Sequence, residues 1–319
     1  MTREHLKVEV VKRYYFDNMN QNEIAKKLDI SRSYVSKLLV EARKEKLIEF
    51  KSRNPWLTES EEERALQKKY QQKKVMIVSR SGNYRKKTIP YVKELGEKLN
   101  EFLNAVLKNG DVIGVAWGRT LYECSRHLYT DVEFEDIKVV GICGGVSQNQ
   151  NSTYSSEITK NFADTFHAIS YSLPIPAIVE SESYKKLFYN EQGISQVLKV
   201  MDDVNIAIFT VGQCSTESSL VRSGYITEDG IQDLINAGAV GEVCTHFINK
   251  NGKCVNQDLD NRTVAVSMKQ LQECEYRIAV ILGRERLKPL KAILDAGYPN
   301  VLIIDEETAA ILLKEEGEM

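Results

Sequence analysis

The sequence predicts an α/β protein, in which a small all-α winged helix-turn-helix head precedes a larger, doubly wound, Rossmann-like α/β domain. Two short helical patterns of apolar residues follow one another around residue 30, and seven short β-rich apolar runs begin at residue 75. These runs alternate with amphipathic helical stretches. Nearly continuous apolar strands separated by helices are typical of a parallel sheet that is covered on both faces.

Composition excludes several classes of protein. The chain has 319 residues, 42% of them hydrophobic and 28% charged, which suits about two globular domains. Its apolar runs are far shorter than the roughly 18 residues of a membrane span, and its charged start does not resemble a signal peptide. Six cysteines form no C-x-x-C pair, which favours reduced thiols over a zinc site or a disulfide framework. We therefore expect a cytoplasmic protein that has no metal, no cofactor and no membrane partner.

Residues 1–54 form the predicted head. Apolar residues recur with helical spacing in QNEIAKKL (21–28) and again in RSYVSKLLV (32–40). Asp29, between them, tolerates a left-handed turn, and Ser31 is a good N-cap for the second helix. The head carries 13 Lys+Arg against 8 Asp+Glu, a balance of +5, whereas the remainder carries 30 against 37. A basic head on an acidic body suggests a polyanionic partner.

Two further elements complete this head. A third helix is predicted from Val8 to Met19, with Val11, Tyr15 and Phe16 in the core, and a short wing strand from Leu47 to Phe50. The second helix of the motif is expected to meet the major groove of DNA, while neighbouring basic residues lie near phosphates. The alternative is an ordinary helical hairpin with solvated Lys and Arg. The predicted DNA-binding residues are Gln21, Ser31, Arg32, Ser33, Tyr34, Ser36, Lys37 and Lys44.

Residues 55–74 form a highly charged segment with few apolar positions, and we expect a solvated helical linker there. The larger domain covers residues 75–319. Its predicted strands lie at 75–79, 112–117, 138–143, 168–173, 204–211, 277–282 and 301–305.

Ligands of such folds bind outside the carboxyl ends of the strands, so the loops that follow the strands carry the candidate site. Several of these loops offer glycine backbone N–H groups, hydroxyls or cations, which together suit a phosphate or a sugar. Taken singly, each glycine is equally typical of a plain turn. The candidate loop residues are Gly118, Arg119, Thr120, Gly144, Gly145, Gln148, Gly212, Gln213, Arg286 and Lys288.

At these motifs the chain resembles the SorC family of sugar-binding transcriptional regulators over almost its whole length. The head segment NQNEIAKKL…SRSYVSKLLVEAR, GDVIGVAWGRTL (110–121), ICGGVS, GAVGEVCTHFINKNGKCV (238–255) and VLIIDEETAAILL (301–313) match in place and order. The resemblance implies a bacterial repressor or activator of carbohydrate metabolism, typically a tetramer on a palindromic operator. It also implies that the large domain resembles sugar-phosphate isomerases, binds a phosphorylated sugar or a related metabolite, and assembles the subunits.

Carried over by position, the resemblance implies that Gly118, Arg119 and Thr120 cradle the phosphate. It implies that Arg286 supplies a second cation. The residues implied to line the sugar are Gly144, Gly145 and Gln148. Those implied to flank the ligand are Glu242 and Phe247. Departures from the family pattern in VGQC, GRER and INKNG leave the identity of the effector open.

Two other classes of protein remain as alternatives. The first is a sugar-phosphate isomerase or deaminase on the same fold, which needs a positioned acid or base. His246 is the one histidine near a candidate ligand loop, and the acidic residues there form no recognisable catalytic spacing, so no catalytic residue is predicted. The second is a DNA-binding protein whose large domain only assembles subunits. The polar, glycine-rich strand ends argue against that reading.

Overall fold

A computed structural model describes residues 2–45, 47–48, 55–79, 89–145 and 153–314. The chain divides into two compact units, Met1–Arg53 and Asn54–Met319. None of the described helices is long and apolar enough to cross a bilayer.

The described part of the first unit contains three helices, α1 (Arg3–Tyr15), α2 (Gln21–Leu28) and α3 (Arg32–Lys44). Their apolar faces meet in one small core, as the helical spacing predicts. Ion pairs also join α1 to α3. The buried Lys7 ammonium contacts Glu45 at 2.5 Å, and the Arg3 guanidinium contacts Glu41 at 2.7 Å.

Two expectations for the head need correction. Phe16, predicted in the core, is 75% exposed because the helical spacing places it on the side of α1 opposite the buried residues Val10 and Val11. Leu47 and Ile48, predicted to begin the wing strand, are not in a strand. The rest of the predicted wing lies outside the described residues.

In the described part of the second unit, seven strands form one sheet whose neighbours are all parallel, in the order β1-β10-β9-β5-β2-β3-β4. They are β1 (Lys74–Val78), β2 (Val112–Val115), β3 (Lys138–Gly141), β4 (Ile169–Tyr171), β5 (Ile206–Phe209), β9 (Tyr276–Ile281) and β10 (Val301–Asp305). Each corresponds to one of the predicted runs. The central strands β2 and β5 are buried throughout, because helices cover both faces of the sheet.

The order of the strands fixes where a ligand can bind. From β2 the chain builds outward through β3 and β4, then returns to β5 on the other side of β2 and builds outward again through β9 and β10. The carboxyl ends of β2 and β5 therefore border the topological switch point, where loops leave in opposite directions and open a crevice. A second, antiparallel sheet follows β5 directly and contains β6 (Val211–Gln213), β7 (Gly241–Val243) and β8 (His246–Ile248).

Helices connect the strands of the second unit along the chain. They are α4 (Glu61–Lys69), α5 (Ile89–Val106), α6 (Arg119–Ser125), α7 (Ser155–Phe166), α8 (Glu182–Asn190), α9 (Gln192–Asp202), α10 (Ser219–Arg222), α11 (Glu228–Asn236), α12 (Gln257–Arg262), α13 (Met268–Glu273), α14 (Leu287–Asp295) and α15 (Glu306–Lys314). A 3₁₀ turn, Arg284–Arg286, precedes α14.

The expected solvated linker is instead part of the second unit. On α4, Leu66 is fully buried, and two polar side chains one turn apart cover the outer edge of β1. Glu63 Oε1 accepts from the Ile77 N–H at 2.8 Å, and Gln67 Oε1 accepts from the Val75 N–H at 2.9 Å. An edge strand leaves backbone N–H groups without sheet partners, and these carboxylate and amide oxygens satisfy them.

Candidate nucleic-acid interface and ligand site

The turn between α2 and α3 has the geometry that the sequence predicts. Asp29 adopts the left-handed conformation, with φ 53° and ψ 48°, and ends α2. Ser31 begins α3, since its hydroxyl accepts from the Tyr34 N–H at 3.1 Å. A capping box at Asn20 and Glu23 starts α2. At the turn itself the Asp29 N–H donates to the Ala25 carbonyl, so each end of the turn is fixed by a local hydrogen bond.

The outer face of α3 carries the basic groups. Arg32, Lys37 and Lys44 are exposed, and no hydrogen bond or ion pair within the described part of the head engages their side chains. Ser33 is also exposed, with its hydroxyl 3.0 Å from that of Ser31. The face therefore presents free cations and hydroxyls, which are the groups that contact phosphates and base edges. The remaining predicted contacts, Gln21, Tyr34 and Ser36, are partly buried.

In the second unit, the loop after β2 lies at the topological switch point. Gly118 has φ 131°, a conformation that favours glycine, and it begins α6 without a side-chain cap. The first N–H groups of α6 have no intrahelical acceptor, so they are available to an anion. Arg119 is exposed and Thr120 is 9% exposed. These three residues bring N–H groups, a cation and a hydroxyl to one place.

The loop after β5 lies on the other side of the switch point. A Cβ added at Gly118 would lie 3.9 Å from the Thr210 methyl group, so the two loops lie close together. Several polar atoms here are buried without a hydrogen-bond partner among the described residues: Trp117 Nε1, Thr210 Oγ1 and Ser215 Oγ. Buried polar groups normally have a partner, which can be protein, water or a ligand, so these three atoms are candidate contacts for a ligand at the switch point. No sequence signal singles these three atoms out.

The antiparallel sheet follows the loop after β5. Gly212, Glu242 and Phe247 are neighbours in register across its strands. The Glu242 side chain lies directly over Gly212, where an added Cβ would come within 2.1 Å of Oε1, so a larger residue would have to displace the carboxylate. The Glu242 carboxylate also accepts from the Thr245 N–H at 2.8 Å. Gln213 lies in the same strand as Gly212 and is partly buried.

Arg286, from the loop after β9, lies close enough to act on this carboxylate. Its Nε donates to the Val211 carbonyl at 3.1 Å, and its Nη1 contacts the Leu282 carbonyl and the Glu285 carboxylate. Burial raises the pKa of Glu242 to about 7, against the lowering effects of the Thr245 N–H, His246 and Arg286. Glu242 therefore titrates near neutral pH beside a fixed cation.

The other predicted ligand residues differ in what they contact, and their roles in ligand binding stay predictions. The N–H groups of Gly144 and Gly145 donate to the carbonyls of Val264 and Ile175, at 2.7 and 3.0 Å, so neither N–H is free for a ligand. Phe247 is 3% exposed and packs in a separate apolar cluster with residues of α11. Lys288 is exposed on α14. Gln148 lies outside the described residues.

His246, the histidine nearest to a candidate loop, is also engaged. Its Nδ1 lies 2.5 Å from Asp260 Oδ1, and its Nε2 lies 3.0 Å from the Val266 carbonyl oxygen. Both ring nitrogens are held by acceptors of the protein, and the ring is 6% exposed. The arrangement is that of a structural histidine, because neither nitrogen is free to exchange a proton with a ligand.

Because burial raises the pKa of Glu242 from the ordinary 4.5 of a glutamate to about 7, folding favours its protonated form. Stability linked to this group is present below about pH 4.5 and is lost as the pH rises through 7. The free energy of unfolding of the wild type should therefore fall by about 3 kcal/mol between pH 5 and pH 8 on account of this group. Glu242→Gln should not show this fall. Urea unfolding at both values measures it, with the exposed Glu217→Gln as the control. If the Glu242 and Glu217 variants show the same pH dependence, the raised pKa is wrong.

Comparison with known proteins identifies the family. A family model described as “Putative sugar-binding domain” matches residues 55–314, and a model of sigma-70 region 4, a DNA-binding segment, matches residues 7–45. The sorbitol operon regulator of Klebsiella pneumoniae is 24% identical over 313 residues, or 96% of this chain and 97% of that protein. The chain belongs to the SorC family. It is therefore a transcriptional regulator with a DNA-binding helix-turn-helix and a sugar-binding domain.

Other relatives agree over nearly the full length. The deoxyribonucleoside regulator of Bacillus subtilis is 29% identical over 314 residues, 98% of each chain. The crystal structure of full-length SorC from K. pneumoniae has a TM-score of 0.73 at 23% identity and covers 98% of this chain and all of that one. A domain of a possible sugar-binding regulator from Arthrobacter aurescens also has a TM-score of 0.73, at 27% identity, over 82% of this chain and all of that one. All three of these relatives are described as regulators.

Proposed function

We propose that this SorC-family chain controls a bacterial carbohydrate-metabolism operon, as a repressor or an activator. A phosphorylated sugar or a related metabolite sets its affinity for operator DNA, and binds at the carboxyl ends of β2 and β5. Two observations at the switch point support the proposal. Helix α6 starts without a side-chain cap, and nearby polar atoms are buried without a partner among the described residues. A phosphate and a sugar together would satisfy both.

Each group of the effector has a counterpart in the crevice. The phosphate binds the N–H groups that follow Gly118, with the Arg119 guanidinium and the Thr120 hydroxyl completing its shell. The sugar oxygens bind the Trp117 indole N–H and the Thr210 hydroxyl. Gly212, Gln213, Glu242 and Arg286 border the same crevice from the side of the antiparallel sheet.

The head reads the operator with α3. Helix-turn-helix proteins bind as dimers to two half-sites about one turn of DNA apart, so we expect a palindromic operator and a dimer or tetramer. The effector then acts by linkage. It must bind one arrangement of the large domains better than the other, and a few kcal/mol of difference is enough to change operator occupancy.

A thermal-shift screen against sugar phosphates and the corresponding free sugars tests the proposal. At about 100 times its Kd, the effector should stabilise the chain by roughly 2.7 kcal/mol. We expect a shift with a phosphorylated sugar, none with its free sugar, and no turnover of the ligand over hours. Turnover would favour the isomerase or deaminase reading instead. A panel in which every phosphorylated sugar leaves the melting temperature unchanged would contradict a sugar-phosphate effector.

A further inference from the structure

Helix α8 has its apolar side turned outward. Tyr184, Leu187 and Phe188 are 51%, 63% and 39% exposed. Their spacing of three and four residues places them on one face of the helix, as a single stripe. Helices on a protein surface normally turn such a stripe toward the core. The α8 stripe, defined as these three residues, is thus an apolar surface that the described part of the chain leaves open.

The inward side of α8 carries Lys185 and Tyr189, and it is fixed in place. Lys185 is half-buried, and its ammonium donates to the Thr263 carbonyl at 2.5 Å. The same ammonium lies 5.5 Å from the centre of the Tyr189 ring, one turn further along. Burial lowers the pKa of Lys185, against opposing effects of Asp260 and Glu182. A rotation of α8 that buried the stripe would release this lysine, so the outward stripe is a built feature of the helix.

The surroundings of the stripe limit what can cover it. Glu182 and Lys186 are exposed beside it and pair with each other at 2.7 Å, so these flanking charges cancel. A neutral apolar surface is a poor match for DNA or for an anionic membrane. It suits another protein surface of the same kind, and the helix-turn-helix head requires a second copy of this chain to read two half-sites.

We propose that the α8 stripe is a two-fold interface, packed against the α8 stripe of a second copy. This inference rests on the proposed function, because it supplies the contact for the oligomer that binds the operator. In a two-fold interface the same patch serves both subunits, so the patch must be complementary to itself. A neutral row of three large apolar side chains meets that requirement. Since the row spans little more than one helical turn, about 6 Å, the two Leu187 side chains lie near each other.

Sedimentation of the full chain tests the interface. Leu187→Glu should raise the Kd of the assembly at least tenfold, because it places two carboxylates in an apolar contact. The change should leave the melting temperature of the monomer intact, since Leu187 is 63% exposed. Val132→Glu, at a site 47% exposed elsewhere, is the matched control and should sediment like the wild type. A Leu187→Glu protein that assembles like the wild type would overturn the interface.

A charge-swap experiment tests the two-fold arrangement. Leu187→Lys should weaken assembly as Leu187→Glu does, and an equimolar mixture of the two should assemble again. Two weakened variants whose mixture stays dissociated would overturn the two-fold contact. Operator binding and the thermal shift with sugar phosphates are measured on the same samples. A wild type that binds its operator as a monomer would contradict the proposal that the chain binds DNA as an oligomer. A Leu187→Glu protein that still assembles would contradict only the proposal that the contact lies at the α8 stripe.

Discussion

Arg32→Ala should weaken binding to the operator by about 10- to 100-fold and relax the preference for one base. Arg32 is the first residue of α3, it is exposed, and it has no bond within the described part of the head. Arginine in this position makes bidentate contacts to guanine, which are worth roughly 1–3 kcal/mol each. Fluorescence anisotropy with operator variants at the contacted position measures both the affinity and the base preference.

Lys44→Ala is the matched control for Arg32→Ala. Lys44 is the last residue of α3 and is also exposed, but it is expected to contact phosphate. Its loss should weaken all DNA sequences alike and reduce the salt dependence of binding by about one ion. If Arg32→Ala bound the operator as tightly as the wild type, or lost affinity equally for every sequence, the assignment of α3 as the reading helix would be wrong.

Thr120→Val should weaken the effector by about tenfold or more while leaving operator binding of the free protein unchanged. Thr120 is nearly buried at the start of α6. In the valine variant a methyl group replaces the hydroxyl, so the phosphate oxygen would lose its hydrogen bond and face an apolar group. Hydrogen bonds to a charged group contribute roughly 1.5–3 kcal/mol. Calorimetric titration with the sugar phosphate that gives the largest thermal shift measures the change.

Two comparisons make the Thr120→Val result specific. Arg119→Ala should also weaken the effector, and more strongly at low salt, because it removes an exposed cation. Lys288→Ala tests a second predicted ligand cation, which is exposed on α14, and a smaller loss than for Thr120→Val would place the phosphate nearer to α6 than to α14. If the effector bound Thr120→Val as tightly as the wild type, the assignment of the phosphate site to the start of α6 would be wrong.

Local signals in the sequence predicted most of the fold. The left-handed turn at Asp29 and the cap at Ser31 depend only on neighbouring residues, and both are observed. The seven parallel strands were predicted because buried strands are nearly continuous apolar runs. The antiparallel sheet after β5 was not predicted, since strands of three residues such as Val211–Gln213 carry too little pattern to recognise.

The ligand site was harder to predict because its details depend on distant contacts. The N–H of Gly144 donates to the carbonyl of Val264, which is far along the chain, and a Cβ at Gly144 would collide with neighbouring backbone. A glycine in a candidate ligand loop can therefore serve packing. The unpartnered indole of Trp117 is visible only once its surroundings are known. The sequence therefore predicts which loops follow the strands, whereas the order of the strands and the contacts of each loop are seen only in the structure.

The central claim is that an effector at the switch point controls DNA binding. The most direct measurement is a titration of the sugar phosphate with the largest thermal shift into the full chain bound to labelled operator, followed by anisotropy. We expect the operator affinity of the wild type to change by about tenfold or more at saturation, and that of Thr120→Val to stay constant at the same concentrations. A ligand that saturates the wild type and leaves its operator affinity unchanged would contradict the account.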